Sequence, residues 1–425
     1  MTTGISVFFD RLRSTLWFVP TVMTSAAAAL AIATIRFEQR NDSPFSDVLG
    51  VVYSGGPDGA RAILSTIAGS MITIAGVSFS IVIVALSLAS NQFGHRLLRN
   101  FMRDRANQVV LGTFISTFVY CLLTLRSIRS VEDGKFVPHL SVTLGIGFAL
   151  LSLAVLIYFI HHVSSSIQAD HVINVVAEDL DQSIERLFPE HLGEGSDSYP
   201  QPDPGEWKGW ELRPRDGGYL QAVDDERLMK LAVEHELRIN LFVRPGSFLT
   251  PGIAFANISP KASWTEDLDD ELLDCFSTGK ARTTQQDVEF AIEQLVEIAV
   301  RALSPGINAP YTAVACLDRL LQAFSRLVHR QFPSPLRLSD EGVVRVMAQT
   351  TDFGSLVHQA FDPIRHYGAS SPIVLSRMVE ILDLLAARCP HPKRRDVLIE
   401  YAANARRTGE GKTESETVPR TLAEQ

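Results

Sequence analysis

AILSTIAGSMITIAGVSFSIVIVALSLASN, residues 62–91, decides the fold. No Asp, Glu, Lys or Arg stands between Arg61 and Arg96. A helix needs about 20 apolar residues to cross a hydrocarbon core of about 30 Å, so this stretch spans a membrane with residues to spare. It is not uniformly apolar. Gly69, Thr73, Gly76, Ser80, Ser87 and Asn91 recur at steps of three, four or seven, which collects small and hydroxyl-bearing groups on one helical stripe, interrupted near Ile83 and Val84. The other faces carry Ile72, Val77, Phe79, Ile81, Val82 and Leu88, whose natural neighbours are lipid or another apolar helix. Such a stripe has two readings. Small residues let helices approach closely and let hydroxyls bond across the interface, or a water-filled path runs along it. A pore lined by one helix requires several copies around an axis.

Composition places the rest of the chain around this helix. The 425 residues are 46% hydrophobic and 20% charged, but the apolar runs crowd before Val163 and charge dominates afterwards. The net charge of -9 comes mostly from the second half, which excludes a nucleic-acid surface as the expected partner. Cys121, Cys275, Cys316 and Cys389 lie far apart, with no pair spaced for zinc or redox work, so ordinary buried thiols are expected. No metal site and no cofactor is expected.

Four apolar runs, about 16–35, 62–91, 106–125 and 136–160, predict four spans in a transmembrane domain over residues 1–162. Arg96, Arg99, Arg103 and Arg105 crowd the loop after the second span, which by the positive-inside rule marks the cytoplasmic side and puts both termini there. The same arginines, Arg96, Arg99 and Arg103, are candidates for an anion-attracting vestibule. Residues 163–192 predict a juxtamembrane amphipathic helix with Ile173, Val176, Leu180, Ile184 and Leu187 on one face, free to pair with a copy of itself or to pack on the soluble part. Residues 193–262 read as a loop and a small β-rich subdomain, with strands at Tyr219–Val223 and Leu241–Val243 around a short helix. From Ser263 to residue 407 the pattern predicts helices only. Ser263 with Glu266 forms a capping box, Gly279 is a stop, Thr283 or Thr284 caps the next helix, and Ser304-Pro305-Gly306 ends it. Residues 408–425 are polar and predicted to be disordered. The fold class is mainly α.

Three blocks, ITIAGVSFSIVIVALSLASNQFGHRLLR at 72–99, GKARTTQQDVEF at 279–290 and RALSPGINAPYTA at 301–313, resemble a family of predicted bacterial membrane proteins of unknown function. The resemblance covers nearly the whole chain and implies an integral membrane protein with a cytoplasmic C-terminal region. In that family the residue after Asn308 is usually Asp where this chain has Ala309, so a role resting on that carboxylate does not carry over.

The candidate sites follow. Arg301, Ser304, Gly306 and Asn308 belong to a turn that is structural or binding, and Arg282 with Asp287 is expected to form an ion pair that fixes it. Gly306 is expected to hold a backbone conformation closed to branched residues. No Asp, Glu, Lys or Arg lies in the middle of any span, which argues against a proton-coupled carrier and leaves a passive pore open. No acid, base, nucleophile or metal constellation suggests an enzyme. The expectation is a homo-oligomeric bacterial inner-membrane protein acting as a passive ion channel or pore, with the lipid bilayer, copies of itself and ions as partners. The alternative is a membrane-anchored scaffold or sensor whose cytoplasmic domain binds a protein or a small ligand.

Overall fold

A computed structural model of the chain describes residues 17–40, 53–94, 105–129, 136–166, 168–188, 207 and 209–411. The expected vestibule residues Arg96, Arg99 and Arg103, and residues 412–425 of the tail expected over 408–425, lie outside the described residues, whereas Thr408 and Gly409 at the start of that tail are helical, closing the helix Pro392–Gly409. The chain forms two units, Met1–His171 and Val172–Gln425.

The N-terminal unit holds four helices long and apolar enough to cross a membrane: α1 (Phe18–Arg40), α2 (Pro57–Phe93), α3 (Arg105–Ser127) and α4 (His139–Ser166). Pro57 begins α2 because a missing N–H costs nothing in the first turn. Gly94, at φ +104°, ends it by returning its N–H to the Ser90 carbonyl. Its 37 residues make a rod of roughly 55 Å at about 1.5 Å per residue. That exceeds the hydrocarbon thickness and requires tilt or projection beyond it. Helix α3 is the most buried of the four and packs against the other three. Leu64, Tyr120, Cys121 and Val142 fill one layer of this core, and Met71, Phe114, Phe159 and Val163 another.

Polar contacts join the helices where lipid offers no alternative partner. Thr117 and Ser152 share a buried hydrogen bond of 3.0 Å between α3 and α4. At one end of the bundle the Glu38 carboxylate of α1 accepts from the Leu140 and Ser141 amides at 2.7 and 3.1 Å and from the Ser141 hydroxyl at 2.6 Å. A glutamate from one helix thus caps the N-terminus of another, where orphan N–H groups and the helix dipole favour negative charge.

The C-terminal unit opens with α5 (Ala169–Leu187, from Val172 on). Its apolar seam is buried inside this unit: Val172, Ile173, Val176, Leu180 and Ile184 are covered. Asn174, Asp181 and Glu185 bond Arg319, Gln322 and Arg326 of helix α9 (Pro310–Leu327). The seam is therefore packed on the soluble part of its own chain.

Two sheets follow. The first has the order β1 (Trp210–Leu212), β5 (Ala256–Ser259), β3 (Arg238–Leu241), β8 (Val344–Ala348), β7 (Leu336–Leu338), with β3 and β8 parallel and every other pair antiparallel. The second has β4 (Phe248–Leu249), β2 (Gly218–Val223) and β6 (Phe276–Gly279). Helices α6 (Asp225–Glu234) and α7 (Glu266–Leu273) share with them a core that includes Leu220, Leu228, Ile239, Phe255, Ile258 and Leu272. Helices α8 (Val288–Ala302), α9, α10 (Phe353–Tyr367), α11 (Pro372–Arg388) and α12 (Pro392–Gly409) pack around Phe324, Phe361, Ile364, Ile381 and Leu385.

The region from Ser263 is not wholly helical, because β6, β7 and β8 fall within it. These strands have only three to five residues, too few for a period-2 pattern to stand out. Gly279 ends a strand rather than a helix. Thr265, not Ser263, caps α7 by accepting from the Leu268 amide, and Asp287, not Thr283 or Thr284, caps α8 by accepting from the Phe290 amide. All four cysteines are buried free thiols.

Candidate functional site

Two places in the fold gather polar groups in a way that bears on function. The first is on α2. Its buried residues are Ala60, Leu64, Ala68, Met71, Ala75, Ser78, Ala85 and Ala89, and these face α3 and α4. Gly69, Thr73, Gly76, Ser80, Ser87 and Asn91 are all exposed. At about 100° per residue the two sets lie on opposite sides of the helix. A Cβ added at Gly69 or Gly76 would meet nothing within 4 Å. Exposed Ile72, Phe79 and Ile83 border the stripe on one side and Val77, Val84 and Leu88 on the other, so it forms a shallow groove between apolar ridges. Among the described residues the stripe from Gly69 to Ser87 faces away from the bundle; its partner is lipid, a second molecule or a water path. The Thr73 hydroxyl donates to the Gly69 carbonyl of its own helix at 2.9 Å.

The second place is built by the block Gly279–Phe290, which fastens β6 to α8. Gly279 pairs with Tyr219 of β2. The Ala281 carbonyl accepts from Gln221 at 2.7 Å, the Thr284 carbonyl accepts from Ser183 and Arg186 of α5, and Gln286 bonds both the N–H and the C=O of Val223. Arg282 donates to both oxygens of Asp287 and to Glu293 at 2.8 Å, with its guanidinium over the Phe290 ring. Gly246 turns at φ +96° beside this pair, and a Cβ there would collide with the Asp287 carboxylate. Arg282 and Asp287 do form an ion pair. It sits at the N-terminus of α8, whereas the Ser304–Asn308 turn lies at the other end of that helix, so the pair does not fix the turn.

Behind this block lies a cavity of about 180 Å³ at the carboxyl ends of the parallel strands β3 and β8. Leu187, Phe188, Val223, Val243, Val288 and Pro333 supply much of an apolar wall, and Asp225, Arg244, Gln286, Asp287, Arg337 and Thr351 supply polar groups. Arg244 donates to Glu289 at 2.7 Å and to Thr351 at 3.2 Å, and Thr351 donates to Glu289 at 3.1 Å. Burial pushes the Glu289 carboxyl above the usual carboxylate range, and Arg244 and Thr351 pull it partly back. Asp225 is exposed overall, and partial desolvation where it lines the cavity raises its carboxyl, against the pull of Arg337.

The turn after α8 closes on its own backbone. Ser304 accepts from the amides of Ile307 and Asn308, its hydroxyl donates to the Arg301 carbonyl at 2.7 Å, and the Ala309 amide donates to the Ala302 carbonyl. Asn308, at φ +49°, takes the left-handed conformation. Gly306 does not have positive φ, and a Cβ on it would meet nothing within 4 Å. The expectation that Gly306 carries the special backbone is overturned: Asn does so, because its short polar side chain tolerates that region. Ala309 stands at the N-cap of α9 without a capping side chain, at a position where an aspartate would serve as a helix cap.

Asp225, Arg244 and Arg337 lie outside the blocks that the sequence brings forward, and Glu289 lies within 279–290 without standing out there as a site residue. They come from four distant segments, and no motif joins them. Among the described residues no group of three or more His, Cys, Asp or Glu is placed to hold a metal ion.

Comparison with known proteins agrees with this architecture. The model of the family described as predicted membrane protein (DUF2254) matches residues 13–383. The uncharacterised proteins Rv1290c of Mycobacterium tuberculosis and Mb1321c of Mycobacterium bovis are each 32% identical over 396 residues, covering 91% of this chain and 74% of theirs. No solved structure matches. With four apolar helices at its N-terminus and a family match over most of its length, the chain belongs to the DUF2254 family of predicted membrane proteins.

Proposed function

We propose that this protein is a homo-oligomeric, non-enzymatic inner-membrane protein that forms a passive pore, with α2 at the axis and both termini in the cytoplasm. One observation carries the reading: the glycine and hydroxyl stripe of α2 lies opposite the face that α2 buries in its own bundle. Toward lipid such a stripe gains nothing, since small residues are useful where another helix approaches closely or where water runs. A second copy related by an axis supplies both. The uncharged span middles fit passive conduction rather than coupled transport. A second reading, a membrane-anchored sensor, is favoured by the cavity at the ends of β3 and β8.

Cysteine scanning tests the first reading in a background where Cys121 is serine. Cysteines at Ser80 and Ser87 are expected to react with a water-soluble thiol reagent, and cysteines at Val77 and Leu88 are expected to stay protected, because a thiol ionises in water and not in lipid. Reconstituted protein is expected to conduct ions. Protection at Ser87 and Asn91 in a folded oligomer, together with bilayers that carry no current, would overturn it.

A further inference from the structure

The cavity in the C-terminal unit has an unspent pair of charges. Two of the ion pairs around it are closed: Arg244 is matched by Glu289, and Asp287 by Arg282. Arg337 and Asp225 differ. Both line the open side of the cavity, Asp225 exposed and Arg337 half-buried, and among the described residues no ion pair or hydrogen bond joins them. Among the described residues the Arg337 guanidinium bonds only the Ser334 carbonyl, which leaves most of its five N–H groups unshared by them. The Asp225 carboxylate accepts no hydrogen bond from any described side chain.

A ligand that completes this arrangement offers an anion to Arg337 and a cation to Asp225. A simple anion would face the Asp225 carboxylate, and a simple cation would face the guanidinium. The rest of the wall is mainly apolar, and at about 180 Å³ the space is smaller than the roughly 300–1,000 Å³ of drug-sized sites. Its place at the carboxyl ends of parallel strands is where sheets leave room for ligands. We propose that this cavity binds a small zwitterion of the α-amino acid class with an apolar side chain. The carboxylate sits on Arg337, the ammonium sits on Asp225, and the side chain lies against Val243, Val288 and Pro333. The proposal does not depend on the role of α2.

Equilibrium binding of radiolabelled L-leucine and L-phenylalanine to the purified full chain in detergent tests it. Saturable binding of at least one is expected. The matching carboxylate (4-methylpentanoate for leucine) and amine (3-methylbutylamine) are expected to compete at least about tenfold less well, because each leaves one charge of the site unmet. Arg337→Gln and Asp225→Asn should each weaken binding by about tenfold or more. Arg215→Gln, which touches Asp270 and Asp274 away from the cavity, should leave it unchanged. Far-UV circular dichroism and the elution profile show that each variant is folded. Folded wild-type protein that binds neither amino acid overturns the proposal. So does competition by the carboxylate alone as strong as by leucine, or binding that survives both Arg337→Gln and Asp225→Asn.

Discussion

Arg282 grips Asp287 through two parallel hydrogen bonds, Nε to Oδ2 at 2.8 Å and Nη2 to Oδ1 at 3.0 Å, while the same Oδ1 caps α8 by accepting from the Phe290 amide. The Asp287 side chain is 4% exposed, so neither role is diluted by water. Asp287→Ala removes fork and cap together and leaves Glu293 as the carboxylate partner of Arg282. It is expected to destabilise the C-terminal unit by about 2 kcal/mol or more. Arg282→Lys, which cannot form the fork, should cost less but remain measurable. Chemical unfolding of the full chain in detergent checks both. A midpoint unmoved by Asp287→Ala would remove the pair from the account of the fold.

The turn between α8 and α9 predicts three outcomes at neighbouring positions. Gly306→Ala should be nearly silent, since Gly306 has open space around it and no positive φ. Asn308→Val should cost about 1 kcal/mol or more, because a branched residue resists φ +49°. Ala309→Asp should stabilise by about 1 kcal/mol through a new N-cap on α9. Thermal melting of the three variants ranks them, and a Gly306→Ala loss larger than that of Asn308→Val would reverse the assignment.

Glu289 gives a pH dependence of defined sign. Burial raises its pKa in the folded chain, so the folded state holds this proton more tightly than the unfolded state. Its contribution to stability is then largest at low pH. The contribution starts to fall as pH passes the ordinary carboxylate value of about 4.3 and is fully lost above the raised folded value. Glu289→Gln keeps a side chain able to meet Arg244 and Thr351 but does not titrate. The stability of this variant relative to the natural protein should therefore rise with pH, measured by unfolding from about pH 4 to pH 7. A difference that is flat with pH would contradict the burial of this carboxyl.

In the membrane unit, Glu38 holds the start of α4 through Leu140 and Ser141. Glu38→Ala should weaken the bundle by about 1–2 kcal/mol, as loss of a helix cap does. Glu38→Gln, which retains an acceptor oxygen, should lose less. Unfolding of the detergent-solubilised protein by sodium dodecyl sulfate, followed by circular dichroism, reads both effects.

The amino-acid order by itself determined the mainly helical class, the four membrane-length helices and the seam of α5. A long uncharged run or a stripe at helical spacing is a local property that survives without knowledge of its neighbours. It also brought Arg282 and Asp287 forward, because five residues of separation place a charged pair within reach in almost any turn. Only the tertiary structure decided which side of α2 is buried. The small and hydroxyl stripe stands apart from the apolar faces, but the side with Leu64, Met71, Ala68, Ala75 and Ala85 differs little in hydropathy from the aliphatic faces beside it, so the packing of α3 and α4 selects it. Strands β6, β7 and β8 likewise exist because of distant partners. Val346 pairs with Ile239 from more than a hundred positions earlier, and three to five residues carry too little pattern to announce it. The cavity with Asp225 and Arg337 arises from that same parallel pairing, since contacts between remote segments are fixed by the core they enclose and not by the residues beside them in the chain.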